Sequence, residues 1–172
     1  VFMANRFSSL FADFKAIFAI LSDEANAPLF SEDELAAIRA HVPLTRRVTP
    51  EIEAEVRERR EELVLKPNDG YGGFGILVGR DVGQSTWDET LEAARRGEKC
   101  YVTQQFVEPP RERFPIFENG CFSGFVHRNV TVSLWVHGGR PAGSFIRAGP
   151  AHVVNVHQGG GIMPVAWVAL RR

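Results

Sequence analysis

The sequence predicts an α+β fold, with helices first and a mainly antiparallel sheet after them. Three observations carry that prediction. In the first third of the chain, apolar residues recur at three- and four-residue spacing or follow helix-start signals. From residue 63 onward the apolar runs are short, β-branched and cut by glycine and proline. A glycine-rich segment, residues 70–75, lies between two such runs, as a hairpin requires.

Residues 1–24 read as an extended entry followed by a helix. Phe7, Leu10, Phe11, Phe14, Ile17, Phe18 and Leu21 form its apolar stripe and are expected in the core; left uncovered, the same stripe would favour self-association. Ser31 with Glu34 makes a capping box, opening a second helix to about His41, and Pro43 ends it. Thr49-Pro50-Glu51 places a cap and a first-turn proline before a charged third helix to about Glu62. Leu63–Lys66 and Ile76–Gly79 are strands on either side of the glycine segment. Thr86 with Glu89 reads as a second capping box, and Gly97 closes the helix it opens. Tyr101–Val107 is a strand stopped by Pro109-Pro110. Val126–Val136, Gly143–Arg147 and Val153–Val156 are strand-like, with Gly138-Gly139 as a turn. The chain thus divides into a helical part, 1–62, and a sheet part, 63–172.

Composition narrows the function. The 172 residues are 44% hydrophobic and 24% charged, globular values that exclude a disordered or collagen-like chain. Twenty basic residues stand against 21 acidic ones, a net charge of −1 with no positive excess to grip nucleic acid. No apolar run approaches the roughly 20 residues of a membrane span. The two cysteines, Cys100 and Cys121, form neither a disulfide framework nor a metal-ligand spacing, and point to a cytoplasmic protein. The chain begins at Val1 rather than Met and ends straight out of an apolar run at Leu170-Arg171-Arg172, which reads as a piece of a longer protein. Seventeen arginines accompany only three lysines, Lys15, Lys66 and Lys99, so each lysine is of interest: as a compact point charge it meets a phosphate differently from arginine.

Gly70-Tyr71-Gly72-Gly73-Phe74-Gly75 matches the string GxGxxG. A dinucleotide fold needs a helix directly after that string, but Ile76-Leu77-Val78-Gly79 is a strand. A Walker loop needs Gly-Lys-Ser/Thr, which is absent. What remains is a strand–glycine loop–strand hairpin, in which backbone N–H groups approach phosphate oxygens without side-chain obstruction. Protein kinases place their lysine after such a loop, whereas Lys66 comes before it, and no His-Arg-Asp or Asp-Phe-Gly is present. A plain tight hairpin is the alternative.

Several strings together resemble a known family. Val64-Leu65-Lys66-Pro67 with Gly70–Gly75, Gln104-Gln105-Phe106-Val107, and Val154–Gly161 ahead of Trp167-Val168 are similar to the circularly permuted ATP-grasp proteins. These are the relatives of glutathionylspermidine synthase, most closely the "type 2" group. Asn5-Arg6-Phe7 through Lys15–Ala19 also fits that group, and the resemblance covers essentially the whole chain. It implies ATP held between two α+β subdomains. It further implies an acyl-phosphate made from a carboxylate and ATP, then attacked by an amine to give an amide. Lys66 and Lys15 would contact the nucleotide phosphates, and Gly70, Tyr71, Gly72, Gly73, Phe74 and Gly75 would close over them. Gln105, Phe106 and Val107 would form the adenine hinge, with Gln104, Asn155, Gln158 and Gly159 also at the nucleotide. Arg147 would stabilise the transferring phosphoryl group. Mg²⁺ is implied as well, but before Lys15 the only acid is Asp13, so its ligands are expected outside this chain.

Plainer roles stand beside these. Lys15 on a Phe-rich helix fits a side chain reaching solvent, Arg147 a surface strand position, and Asn155 with Gln158 a local turn. Of Gln104 and Gln105, neighbours on a strand, only one can face a given site. His127, His137, His152 and His157 lack ligand spacing. A nucleotide-binding module without ligase activity and a phosphotransferase with a similar glycine loop are the alternatives to a carboxylate–amine ligase.

Overall fold

The chain forms two compact units, the first ending at Val107 and the second beginning at Glu108. The structure is a computed structural model in which residues 7–166 are described. Asn5, Arg6, Trp167 and Val168, part of the family resemblance, lie outside the described residues. The fold is α+β, with two antiparallel four-stranded sheets; the α-helices of the described residues all lie in the first unit.

In the first unit the sheet has the order β1-β4-β2-β3. Its strands are β1 (Thr45–Arg47), β2 (Leu63–Pro67), β3 (Leu77–Val78) and β4 (Tyr101–Gln105). The β2–β3 pairing, Val64↔Val78 and Leu65↔Leu77, makes the glycine segment a hairpin connection, as its flanking apolar runs predict. Register fixes the two faces, because side chains alternate along a strand. Leu63, Leu65, Leu77 and Tyr101 face α3 (Glu53–Glu58) and α4 (Gln84–Arg95), where Val56, Leu65, Trp87 and Leu91 form the fully buried core. Each fully buried Leu or Val there contributes about 1.5–3 kcal/mol. Trp87 Nε1–H donates to the Val56 carbonyl at 3.1 Å, so the indole is buried without an orphaned donor. The opposite face carries Val64, Lys66, Val78, Val102, Gln104 and Thr45.

Helix α2 (Glu32–His41) starts at the predicted capping box, Ser31 and Glu34 satisfying each other's backbone N–H. Elsewhere the helix signals need correction. The third helix begins at Glu53 rather than after Thr49, because Thr49-Pro50-Glu51 forms a preceding turn closed by Ile52 N–H on the Thr49 carbonyl at 3.2 Å. The Thr86–Glu89 capping box does not form: α4 starts from Gly83, and Thr86 lies inside its first turn, accepting from the Thr90 hydroxyl through its carbonyl. Gly97 does close that helix, with φ +71°. The N-terminal stripe is not core. Phe7–Ala12 is a 3₁₀ turn and α1 (Ala16–Ser22) is a separate short helix, so the stripe breaks at residues 13–15. Phe7 and Phe11 are 86% and 76% exposed, and Leu10 and Phe18 are exposed too.

The second unit is a meander of β5 (Arg111–Glu118), β6 (Cys121–His137), β7 (Arg140–Gly149) and β8 (Gly161–Met163), paired in chain order. Asn119-Gly120 and Gly138-Gly139 each make a two-residue hairpin turn with both φ angles positive, between Glu118↔Cys121 and His137↔Arg140. Pro115 is tolerated in β5 because that strand is an edge. Val153–Val156 is not a strand. Asn155 Oδ1 accepts from His157 N–H at 2.9 Å and caps a 3₁₀ turn at Val156–Gln158, a local alternative to a ladder.

Candidate functional site

The sheet face opposite the core brings together four of the residues singled out from sequence. Lys66 alternates onto that face from β2, and its ammonium donates to Gln104 Oε1 at 2.5 Å. Gln104 is buried and passes the chain on, its Nε2–H donating to Thr45 Oγ1 at 2.8 Å, which donates to the Pro43 carbonyl at 2.8 Å. Lys15 ends at the mouth of the same hairpin, where its ammonium donates to the Gly70 carbonyl.

Charge marks this place. Among the described residues neither lysine meets a carboxylate; the oxygens that satisfy them are a neutral amide and a neutral carbonyl. Burial pushes the Lys66 ammonium below its ordinary pKa, and the positive charge of Lys15 pushes it the same way. The two ammonium groups are near enough for the charge of Lys15 to act on Lys66. Several arginines of the first unit are paired with carboxylates: Arg46 with Glu55 at 2.7 Å, Arg39 with Glu24 at 2.7 Å and Arg57 with Asp88 at 2.8 Å; Arg47 shares the Lys66 face through its pairing with Val102. A hollow of about 550 Å³ beside α1 and β1, lined by residues such as Ile20, Asp23, Arg46 and Ile52, includes neither lysine.

The glycine loop folds into two successive turns, Phe74 N–H to the Tyr71 carbonyl at 3.3 Å and Ile76 N–H to the Gly73 carbonyl at 3.4 Å. Gly72, Gly73 and Gly75 all have φ near +70° to +80°, which side chains other than glycine rarely adopt. The N–H groups of Tyr71, Gly72 and Gly75 carry no hydrogen bond among the described residues. Tyr71 and Phe74 point their rings outward, both exposed.

The hinge segment is partly committed to the fold. Gln105 lies on the opposite face from Gln104, exposed beside Leu44 and Leu63, so of the two glutamines only Gln104 reaches the lysines. The N–H groups of Gln105 and Phe106 are taken by the carbonyls of Leu44 and Glu62, each at 2.8 Å, whereas that of Val107 carries no bond among the described residues. One face of the Phe106 ring is covered by the Arg80 guanidinium at 4.0 Å.

The remaining candidates belong to the second unit. Arg147, opposite Thr131 on β6 and Ile162 on β8, donates to Ser133 Oγ at 3.4 Å and lies 5.2 Å from the Phe145 ring centroid. Its Nε is buried without a partner among the described residues, as is Asn129 Oδ1 on the neighbouring strand. Asn155, Gln158 and Gly159 lie in one turn: the Asn155 carbonyl accepts from Gln158 and Gly160 N–H at 3.0 and 2.9 Å, and Gly159 takes φ +82°. For Asn155 the plainer role accounts for both its oxygens.

A nucleotide polyphosphate fits the lysine face, since it supplies the anion those ammonium groups lack. Among the described residues no group of three or more His, Cys, Asp or Glu side chains could hold a metal ion. Among the same residues no helix is long and apolar enough to cross a membrane. Sequence reasoning missed Asn68 and Thr45. The Pro67-Asn68-Asp69-Gly70 run is a turn signal that could have singled out Asn68. No protein-family model matches the chain, and no curated protein matches it.

Proposed function

We propose that the chain is the nucleotide-binding portion of an ATP-dependent carboxylate–amine ligase, of the circularly permuted ATP-grasp kind that its motifs resemble. The observation that carries this reading is the nearness of Lys15 and Lys66 at the glycine hairpin, neither paired with a carboxylate among the described residues. The lysines would hold the phosphates as compact point charges, and the open N–H groups of the loop would add neutral donors. Gln104 would orient Lys66 through its Oε1. The family resemblance implies a role for Arg147 at the transferring phosphoryl group; its Nε is buried with no hydrogen-bond partner among the described residues. The class of reaction is acyl-phosphate formation from a carboxylate, followed by amide formation with an amine; this chain's residues are assigned to the nucleotide, not to either substrate. No role for Mg²⁺ is assigned to the described residues.

Calorimetric titration of ATP into the chain and into Lys66→Ala, with and without Mg²⁺, tests the reading. A charged hydrogen bond is worth about 1.5–3 kcal/mol, so Lys66→Ala should weaken ATP by roughly 10- to 150-fold. ATP binding untouched by Lys66→Ala would refute the assignment. ATP binding with no acceptor-dependent ADP release in the presence of amines would favour a non-catalytic nucleotide module, and transfer of phosphate to a stable product a phosphotransferase.

A further inference from the structure

Helix α1 has no cap of its own. The residue before it, Lys15, makes no side-chain capping hydrogen bond. The cap arrives from 52 residues further along the chain: Asn68 Oδ1 accepts from Ala16 N–H at 2.9 Å. The Asn68 carbonyl accepts from the adjacent Lys15 N–H at 3.1 Å. Asn68 is itself tied to the sheet, because its N–H donates to the Cys100 carbonyl at 2.8 Å, one step beyond the Pro67↔Tyr101 pair of the β2–β4 ladder. It also stands two residues before Gly70, whose carbonyl takes the Lys15 ammonium.

One half-buried residue therefore grips two consecutive N–H groups, those of residues 15 and 16, from the strand that carries Lys66. Holding both fixes the direction in which the backbone presents the Lys15 side chain. A cap supplied within α1 would satisfy Ala16 equally well. Only a cap from the hairpin also sets where Lys15 stands relative to Lys66 and the loop.

We propose that Asn68 is a positioning residue, which clamps the start of α1 to the glycine hairpin so that the Lys15 ammonium meets the same polyphosphate as Lys66. This rests on the reading of the lysine face as a nucleotide site. Asn68 need not touch the nucleotide; it acts through Lys15.

The test uses the full chain, with ATP as the probe, in Asn68→Ala, Lys15→Ala and the double variant. The expected result is a loss of ATP affinity of about tenfold in either single variant, with the double variant no weaker than Lys15→Ala, because removing the clamp and removing the lysine delete one interaction. Two measurements need no ligand. Amide exchange at Ala16 should quicken in Asn68→Ala and return towards the parent rate in Asn68→Asp, which keeps the accepting oxygen, while exchange in α4 and β6 stays unchanged. Acetylation of Lys15 should quicken alongside it. An unchanged Ala16 exchange rate, or losses that multiply in the double variant, would overturn the inference. If neither Lys15→Ala nor Lys66→Ala alters ATP binding, the nucleotide reading fails instead; exchange and acetylation then still decide whether Asn68 places Lys15.

Discussion

Gly79 lies where β3 leaves the glycine hairpin, and a methyl group there should unseat the hairpin. A Cβ built on Gly79 falls 1.7 Å from the Arg60 carbonyl oxygen, 2.6 Å from its carbon and 3.0 Å from the Leu63 oxygen. Ordinary non-bonded carbon contacts are about 3.5–4.0 Å, so the two backbones must part by roughly 2 Å. No flexible side chain can yield, since every close atom is main chain. The segment is also pinned, because the Arg60 guanidinium donates to the carbonyls of both Gly79 and Val82. Overpacking costs about 1–3 kcal/mol where side chains can adjust and sometimes more, which puts Gly79→Ala at about 3 kcal/mol or above. At about 2–4 °C per kcal/mol for a chain of this size, the first unit should melt roughly 6–12 °C lower by far-UV circular dichroism. Gly83→Ala is the contrast: no atom lies within 4 Å of its added Cβ, and it should cost less than about 1 kcal/mol. Equal melting temperatures for Gly79→Ala and the parent would refute the close approach and the packing of the hairpin exit on Arg60.

Other expectations follow from the lysine face and the core. Lys15→Gln should raise the Lys66 pKa but leave it below the ordinary 10.5, because burial is the larger cause; an NMR titration of the side-chain ammonium reads this, and an unmoved value would mean the two charges do not interact. The sign for stability follows. With the folded-state value depressed, the unfolded chain binds more protons in the window below 10.5, so the cost of Lys66 is greatest at lower pH and is relieved as pH rises through that window. Lys15→Gln should flatten that rise in denaturant titrations. The same depression means that ATP, by favouring the charged ammonium, should bind with proton uptake and weaken at alkaline pH, which titration in buffers of different ionisation enthalpy detects. Trp87→Phe keeps an aromatic ring in the core but orphans the Val56 carbonyl, and should cost about 1–3 kcal/mol in urea unfolding; a neutral result would mean the indole N–H does not matter.

What the sequence made legible is what local chemistry decides. Ser31 and Glu34 needed nothing beyond four residues to form their box, and the hairpin around the glycine segment followed from two apolar runs with glycines between them. What it hid depends on distant partners or competing signals. Thr45-Arg46-Arg47 has no apolar alternation, yet it is an edge strand because β4 offers a ladder, and edges accept charge. Thr86 lost the N-cap role because Gly83, three residues earlier, admits the helix start that buries Trp87 and Leu91. Asn119-Gly120 carried a strong hairpin signal that neighbouring prolines obscured, and with it β5. In the candidate site, both lysines and the glycine loop were legible as motifs. Their convergence was not: Lys15 reaches Gly70 across 55 residues, beside the Ala16–Asn68 bond that spans 52.

Because the chain has only three lysines, one measurement reads the central claim directly: acetylation of Lys15, Lys66 and Lys99 followed by mass spectrometry with and without ATP. Lys99 is exposed on the helix–strand connection and serves as the internal reference. A polyphosphate held between the two site lysines predicts that ATP slows modification at Lys15 and Lys66, that adenosine does not, and that Lys99 reacts at the same rate throughout. Equal reactivity of Lys15 and Lys66 with and without saturating ATP would contradict it.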